Sequence, residues 1–242
     1  MTGYISKLES MGTLDGPGVR TVIFATGCPI RCVYCHNPDT WEGGESVTAE
    51  ELRCRIMRFY PYIKRGGVTF SGGEPCLQAS FFRELAVALR TDGLHIALDT
   101  SGAVINDSVL SLLDKVDLVL LDVKFTSEDD YRRYTGGSLT RTLEFLSLLD
   151  ERKIPTWIRH VVVPGINDTE DSTLRLRELI SPYKCIERVE LLPFRKLCLE
   201  KYETLRIPFP LRDTPEMDAG RLRELEELCH LGLNENKMSG AY

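Results

Sequence analysis

Six short apolar segments, separated by stretches long enough for a helix, constrain the fold of this 242-residue chain. They lie near residues 20, 68, 96, 119, 158 and 189. Apolar runs of this length are typical of strands that are buried on both faces. Strands that alternate with helices predict βαβ units and a parallel sheet. We therefore predict an α/β fold in which six such units form a barrel that is open on one side.

The length and composition of the chain favour one domain. A chain that is 43% hydrophobic can bury a substantial core. We expect a single domain over residues 1–242, with its core at about 15–203 and a C-terminal helix and tail at 204–242. In that last part, residues 216–231 have the spacing of a closing helix, whereas 234–242 have an irregular pattern.

The charge of the chain limits its partners. A net charge of −6 is unfavourable for binding nucleic acid or an anionic membrane, because like charges repel, and we expect neither as a partner. The sequence shows no apolar span of 18 residues and no signal-peptide pattern. We expect a cytoplasmic monomer whose eight cysteines are reduced thiols or cluster ligands.

Three of those cysteines, Cys28, Cys32 and Cys35, follow the first apolar segment at intervals of four and three residues. A structural zinc site needs four ligands, usually in paired thiols, and the other five cysteines supply no second pair. Thiolates suit iron–sulfur clusters, and a 4Fe-4S cube held by three cysteines keeps one iron open for a ligand. His36 is an alternative fourth ligand, but it directly follows Cys35 and points away from it.

A glycine pair and a carboxylate follow the second apolar segment. Gly72 and Gly73, at a strand end, let the backbone approach a ligand closely. Glu74, just beyond them, can accept hydrogen bonds from an ammonium group. Cys76 is interpreted as structural.

Polar side chains also end the later strands, where parallel sheets and barrels gather their chemistry. Asp99 and Thr100 are candidates at the end of the third segment. Asp122 and Lys124 are two residues apart and therefore share a face of the fourth strand. The alternative for this pair is a surface ion pair. In the fifth segment, Arg159 is a fixed cation that suits a carboxylate.

The CxxxCxxC spacing, with Tyr34 before its last cysteine, resembles the radical S-adenosylmethionine (SAM) superfamily. Two further stretches, DGPGVR at 15–20 and WIRHVVVPG at 157–165, resemble the activating enzymes of glycyl radical enzymes. The resemblance covers about residues 1–203. It implies a partial (β/α)6 barrel, similar to a TIM barrel, with the cysteines in the loop after the first strand.

The resemblance also implies the cofactors and their ligands. Cys28, Cys32 and Cys35 would hold a catalytic 4Fe-4S cluster whose open iron chelates SAM. Asp99, Thr100 and Asp122 would hold a monovalent cation, Na⁺ or K⁺. The implied cofactor-binding residues are Tyr34, His36, Gly72, Gly73, Glu74, Asp122, Lys124, Arg159 and Arg195.

Residues 194–198 depart from the family pattern. The family usually has a histidine, which reaches the adenine end of SAM, where this chain has Arg195. A guanidinium can stack on an aromatic ring, so Arg195 could take that place. Cys198 is a second departure, in place of a glycine. Both departures weaken the inference that this part of the SAM site is the same as in the family.

The implied reaction begins when one electron cleaves SAM to methionine and a 5′-deoxyadenosyl radical. The radical then takes a hydrogen atom from a glycine of a partner enzyme, which becomes a glycyl radical. No cysteine-rich insert lies between Cys35 and Gly72, which favours pyruvate formate-lyase as the partner. A flavodoxin or ferredoxin would supply the electron.

Three alternatives remain open at this stage. The chain could activate another glycyl radical enzyme, or act on a small molecule as 7-carboxy-7-deazaguanine synthase does. It could also be a non-catalytic iron–sulfur or zinc regulatory protein. Such a regulator needs a saturated metal site and has no use for the glycine pair with Glu74 or for Asp122 and Lys124.

Overall fold

The computed structural model describes residues 1–230, which form an α/β fold. The strands are β1 (Thr2–Gly12), β2 (Arg20–Ala25), β3 (Glu45–Thr48), β4 (Gly67–Gly72), β5 (Ile96–Thr100), β6 (Leu118–Asp122), β7 (Thr156–Val162) and β8 (Ile186–Pro193). They are ordered β3-β1-β2-β4-β5-β6-β7-β8 in one open sheet. The predicted α/β fold with an open sheet is confirmed, and its six predicted strands are β2 and β4 to β8.

The helices alternate with the strands after β3. They are α1 (Ala49–Met57), α2 (Tyr60–Ile63), α3 (Ala79–Thr91), α4 (Asp107–Leu113), α5 (Glu128–Thr135), α6 (Leu139–Glu151), α7 (Glu170–Ile180), α8 (Leu199–Leu205) and α9 (Ala219–His230). Short 3₁₀ helices lie at Pro38–Thr40 and Pro75–Gln78. Helix α9 matches the predicted closing helix up to residue 230; the predicted tail at 234–242 lies outside the described residues. Among residues 1–230, no helix is both long and apolar enough to cross a membrane.

The chain divides into two compact units. Unit 1 comprises Met1–Pro29 and Asn37–Leu120, and unit 2 comprises Ile30–His36 and Leu121–Tyr242. The cysteine loop is therefore shared, because Cys28 belongs to unit 1 whereas Cys32 and Cys35 belong to unit 2. The single domain of the sequence analysis stays a prediction.

Unit 1 contains a parallel layer with an antiparallel edge. Strand β2 pairs with β4 (Ile23↔Phe70), and β4 pairs with β5 in the same direction. Strand β1 runs antiparallel to β2 and to β3. Neither β1 nor β3 was predicted, since β1 buries only one side of its chain and reads as a mixed polar segment.

The start of α1 is capped by two reciprocal hydrogen bonds. Thr48 Oγ1 accepts from the backbone N–H of Glu51 (3.2 Å), and the Glu51 carboxylate accepts from the N–H of Thr48 (2.8 Å). This reciprocal pair satisfies two N–H groups that the first helical turn leaves without partners. Leu52 and Ile56 are fully buried on one face of the helix.

Unit 2 contains the parallel pair β7 and β8, with Arg159 opposite Glu190. Helix α7 begins at an N-cap, because Thr169 Oγ1 accepts from the N–H of Ser172 (3.1 Å). Helix α5, which was not predicted, is capped by Ser127. It ends at Gly136, whose φ of 70° is left-handed and favours glycine. The end of α5 is where the cysteine segment 30–36 is attached.

Candidate functional site

Cys28 lies in unit 1, directly after the turn that ends β2. Gly27 turns the chain with a φ of 95°, and its N–H donates to the carbonyl oxygen of Thr40 (2.8 Å). The carbonyl of Gly27 in turn accepts from the N–H of Glu74 (2.7 Å). A Cβ on Gly73 would overlap this carbonyl. The glycine pair therefore brings the end of β4 against the backbone that carries Cys28.

Cys32 and Cys35 lie on the segment 30–36 of unit 2. The N–H groups of Arg31 and Val33 donate to carbonyl oxygens at the end of α5, those of Thr135 (2.7 Å) and Tyr134 (2.9 Å). Within the segment, the N–H of Cys35 donates to the carbonyl of Cys32 (3.0 Å). These bonds hold two of the three predicted ligands in a tight turn.

Helix α8 supports the same segment through side chains. Tyr202 donates its hydroxyl hydrogen to the carbonyl oxygen of Cys35 (3.2 Å), and Lys201 donates to that of His36 (3.0 Å). Segment 30–36 is thus attached to the end of α5 through Arg31 and Val33, and to α8 through Cys35 and His36.

The donor set fits an iron–sulfur cluster. Cys28, Cys32 and Cys35 are half-buried thiols, whereas Cys76, Cys185, Cys198 and Cys229 are buried and Cys54 is exposed. Half-buried soft donors on one short loop suit a multinuclear iron centre. Within residues 1–230, no group of three His, Cys, Asp or Glu side chains has the geometry to hold a single metal ion.

Glu74 is fully buried and makes all its hydrogen bonds inside unit 1. Its Oε1 accepts from the N–H of Cys76 (3.1 Å) and the hydroxyl of Thr100 (2.7 Å). Its Oε2 accepts from the N–H (3.0 Å) and the hydroxyl (2.5 Å) of Ser101. Four donors fill the acceptor capacity of a carboxylate. Glu74 therefore joins the ends of β4 and β5. Its contact with an ammonium group stays a prediction.

Asp99 and Thr100 end β5 as predicted. The hydroxyl of Ser71 donates to Asp99 Oδ2 (2.6 Å). Asp99 is partly exposed. The hydroxyl of Thr100 is buried and donates to Glu74. Asp122, the third predicted ligand of the cation, belongs to unit 2, so the cation site stays a prediction.

Asp122 and Lys124 form a largely buried ion pair at the end of β6. The Lys124 Nζ and Asp122 Oδ2 atoms are 2.6 Å apart, and Arg159 Nε lies 3.4 Å from Asp122 Oδ1. The side chains are 16% (Asp122), 14% (Lys124) and 12% (Arg159) exposed. The alternative of a surface ion pair is therefore wrong, and Asp122 and Lys124 are brought together with Arg159 as a group.

Electrostatics keep this group ionised. Burial alone would raise the pKa of Asp122, but the charges of Lys124 and Arg159 hold that pKa below its usual value. Burial would lower the pKa of Lys124, and the Asp122 charge raises it well above the usual value instead. Lys124, Arg159 and Asp122 thus form a group of two cations and one carboxylate in unit 2.

An ion pair on β8, between Arg188 and Glu190, was not predicted from the sequence. Arg188 Nη2 lies 2.9 Å from Glu190 Oε1, and the Arg188 guanidinium lies 4.5 Å from the centre of the Trp157 ring. In the register of β7 and β8, Trp157 is opposite Arg188 and Arg159 is opposite Glu190. The period-two placement of charges at 188 and 190, beside Trp157 and Arg159, was the available signal.

Tyr34 and His36, the residues on either side of Cys35, have different surroundings. Tyr34 is 5% exposed and its ring centre lies 6.0 Å from that of Phe125. His36 is exposed, and its Nε2 lies 2.7 Å from the carbonyl oxygen of Arg195. That contact occupies one of the two ring nitrogens of His36.

The guanidinium of Arg195 is directed toward residues 216 and 217. Its Nη1 donates to the carbonyl oxygen of Met217 (3.1 Å) and lies 3.5 Å from Glu216 Oε2. The predicted stacking of Arg195 on adenine stays a prediction. The neighbouring departure, Cys198, is buried at the start of α8.

The stretch 15–20 is held by the buried side chain of Arg20. Its guanidinium donates to Thr69 Oγ1 (2.7 Å) and to the carbonyl oxygens of Val68 (2.7 Å) and Pro17 (3.0 Å). The hydroxyl of Thr69 donates to the carbonyl of Asp15 (2.6 Å). Arg20 therefore fixes the loop from inside and is not itself available to a partner.

These features, a loop of three half-buried thiols and charged side chains at strand ends, agree with the comparison of the chain with known families. The profile of the radical SAM superfamily matches residues 22–177, which include all three cysteines of the loop. This match covers more than half of the chain. The chain therefore belongs to the radical SAM superfamily, and membership implies a 4Fe-4S cluster and SAM.

More similar proteins narrow the assignment. A pyruvate formate-lyase-activating enzyme of Clostridium pasteurianum is 43% identical over 229 residues, which are 93% of this chain and 96% of the relative. One from Staphylococcus epidermidis is 40% identical over 235 residues, which are 93% of this chain and 94% of the relative. Within the superfamily, the chain belongs to the family of pyruvate formate-lyase-activating enzymes.

A solved structure supports the fold. A domain of pyruvate-formate lyase-activating enzyme from Bacteroides vulgatus has a TM-score of 0.57 and 21% identity. The similarity covers 68% of this chain and 92% of that chain. At this identity it supports the partial-barrel fold alone.

Proposed function

We propose that this protein activates pyruvate formate-lyase by generating a glycyl radical on it. The observation that carries the proposal is the 43% identity, over almost the full length of both chains, to a protein of that name. When bound, the cluster and SAM together supply a 5′-deoxyadenosyl radical that removes a hydrogen atom from a glycine. The chain has to hold these groups, orient them and admit only the intended glycine.

Cys28, Cys32 and Cys35 would hold the cluster. Backbone hydrogen bonds at Gly27, Arg31 and Val33 fix the loop on both sides of Cys28 and Cys32. A loop fixed in this way loses less conformational freedom when its thiolates bind metal. The chemistry of the donor set supports iron over a harder ion.

The two ends of SAM would meet different residues. Gly72, Gly73 and Glu74 would receive the ammonium group, and the hydrogen bonds from Thr100 and Ser101 would hold the Glu74 carboxylate in place. Lys124 and Arg159 are cations that suit the carboxylate. Three more residues are proposed to contact SAM: Tyr34, His36 and Arg195. Asp99, Thr100 and Asp122 are proposed to hold a Na⁺ or K⁺ ion.

The partners and setting of the reaction follow from the same proposal. An acidic flavodoxin or ferredoxin would supply the electron, and the protein would act as a cytoplasmic monomer. The stretch 15–20 would lie near the incoming glycine loop, with Leu14 exposed beside it. Arg20 would keep that stretch rigid from inside.

Anaerobic loading tests the enzymatic part. The protein is supplied with iron and sulfide, reduced in the presence of SAM, and assayed for 5′-deoxyadenosine. Cys32→Ala is expected to abolish the product, because a cluster ligand is lost. Cys54→Ala, on the exposed side of α1, is the matched control and should keep wild-type activity. If protein with a full 4Fe-4S cluster leaves SAM intact, the proposed enzymatic activity is refuted.

A second assay tests the partner. After activation, the protein is mixed with pyruvate formate-lyase and the sample is examined by electron paramagnetic resonance. A glycyl radical signal is expected. SAM cleavage without that signal would refute this partner and favour another glycyl radical enzyme.

A further inference from the structure

The hydroxyl of Tyr34 is buried and makes no hydrogen bond. The residue is 5% exposed, and its oxygen has no hydrogen-bond partner among the residues that the structure describes. Buried hydroxyls in folded proteins nearly always have partners, since a buried polar group without one loses its hydration and gains nothing in return. A buried hydroxyl of this kind indicates a group that binds there.

Tyr131, in the same unit, provides a comparison for the hydroxyl of Tyr34. It is as deeply buried as Tyr34, but its hydroxyl lies 2.7 Å from Thr142 Oγ1. The fold of unit 2 therefore provides a partner for one of two similar tyrosines and not for the other.

The surroundings of Tyr34 are those of the candidate site. It lies between Cys32 and Cys35 in sequence, and the charges of Lys124, Cys32 and Asp122 all act on its pKa. A phenol hydroxyl carries its hydrogen at neutral pH and can donate it to an acceptor. Its neighbourhood thus combines a neutral donor with the predicted positions of both cofactors.

We propose that the Tyr34 hydroxyl donates a hydrogen bond to an acceptor that enters the site with its cofactors. The acceptor is either a sulfur of the cluster or an oxygen or nitrogen of SAM. The inference rests on the proposed function, because it takes the cofactors from there. Tyr34 acts as a positioning residue whose hydroxyl costs stability in the cofactor-free protein and contributes binding in the loaded one.

The first measurement is thermal unfolding of the cofactor-free protein. Tyr34→Phe removes a hydroxyl without a partner and is expected to raise Tm by about 2–4 °C. Tyr131→Phe is the matched control, since it makes the same chemical change at similar burial. It removes a formed hydrogen bond and is expected to lower Tm. If Tyr34→Phe lowers Tm as Tyr131→Phe does, the inference is wrong.

The second measurement uses anaerobically loaded protein without turnover. Binding of SAM to the oxidised cluster form is measured by calorimetry, and the cluster potential by a titration without SAM. If SAM supplies the acceptor, Tyr34→Phe weakens SAM binding by about 5–10-fold. If a cluster sulfur does, the variant lowers the reduction potential, since hydrogen bonds to sulfur stabilise the reduced state. Tyr131→Phe should change neither.

Unchanged affinity and unchanged potential in Tyr34→Phe would overturn the inference even if its Tm rises. This outcome differs from failure of the proposed function, which would appear in the wild-type protein as a loaded cluster that does not cleave SAM. The binding and potential measurements require no cleavage and still decide the role of the hydroxyl.

Discussion

Removing the charge of Lys124 tests whether the group at the end of β6 is a buried network. Lys124→Met keeps most of the aliphatic volume and leaves Asp122 with Arg159, whose Nε is 3.4 Å from Asp122 Oδ1. Breaking a buried ion pair on one side costs about 3–5 kcal/mol. Since Arg159 still compensates part of the Asp122 charge, we expect a loss of about 2–3 kcal/mol in the free energy of unfolding.

The dependence on pH has a defined sign. The folded pKa of Asp122 lies below its unfolded value of 3.8, so its stabilisation is present above that pH and is lost as pH falls through the folded pKa. The folded pKa of Lys124 lies above 10.5, so its contribution is present below that pH and is lost as pH rises further. Lys124→Met should therefore cost most between these limits.

The assay is urea unfolding of the cofactor-free protein at neutral pH, combined with Asp122→Asn in a double-mutant cycle. We expect a coupling energy of about 2 kcal/mol between the two sites. Lys184→Met, at an exposed position of unit 2, is the matched control and should change stability by less than about 0.5 kcal/mol. A loss below about 1 kcal/mol in Lys124→Met would refute the reasoning, because exposed pairs have that magnitude.

Two further predictions concern buried polar groups. Glu74→Gln should lower the free energy of unfolding by about 2–4 kcal/mol in urea, since an amide nitrogen cannot accept the hydrogens that one carboxylate oxygen accepts; an unchanged midpoint would contradict the hydrogen bonding of Glu74. His160 is buried, which lowers its pKa to about 4, with Nδ1 2.6 Å from the carbonyl of Val123. Because the unfolded chain binds this proton more readily, stability should fall as pH drops from about 6.5 to 4, by about 3 kcal/mol at most. His160→Gln should flatten that part of the pH profile, and an equal slope in the variant would exclude His160 as its cause.

Four of the six predicted strands, β2 and β4 to β6, share one physical property that made them visible in the sequence. Strands β4 to β6 are buried along almost their whole length, so they read as continuous apolar runs. Strand β1 buries Gly3 and Ile5 but exposes Tyr4 between them. Helix α5 buries only Tyr131 and Thr135. Elements with so few buried residues show no clear apolar periodicity, so their sequences do not predict them.

The motif around Glu74 was predictable, but its hydrogen bonds were not. A carboxylate after a glycine pair at a strand end indicates a site in the sequence. Its partners Thr100 and Ser101 are far along the chain, and only the parallel pairing of β4 with β5 brings them to it. A carboxylate that joins two strands has the same local sequence as one that does not, so the sequence alone could not predict this role of Glu74.

The surroundings of Arg159 were also not predictable from its local sequence. The sequence predicts a cation at 159, and the register of β7 and β8 places Glu190 opposite it. Burial raises the pKa of Glu190, although Arg188 and Arg159 lower it. Lys124, Arg159, Arg188, Asp122 and Glu190 form a charged cluster with one cation more than it has carboxylates when all five are ionised. Burial makes an unmatched charge costly, so an anionic ligand group such as a carboxylate would stabilise this cluster more than a neutral one.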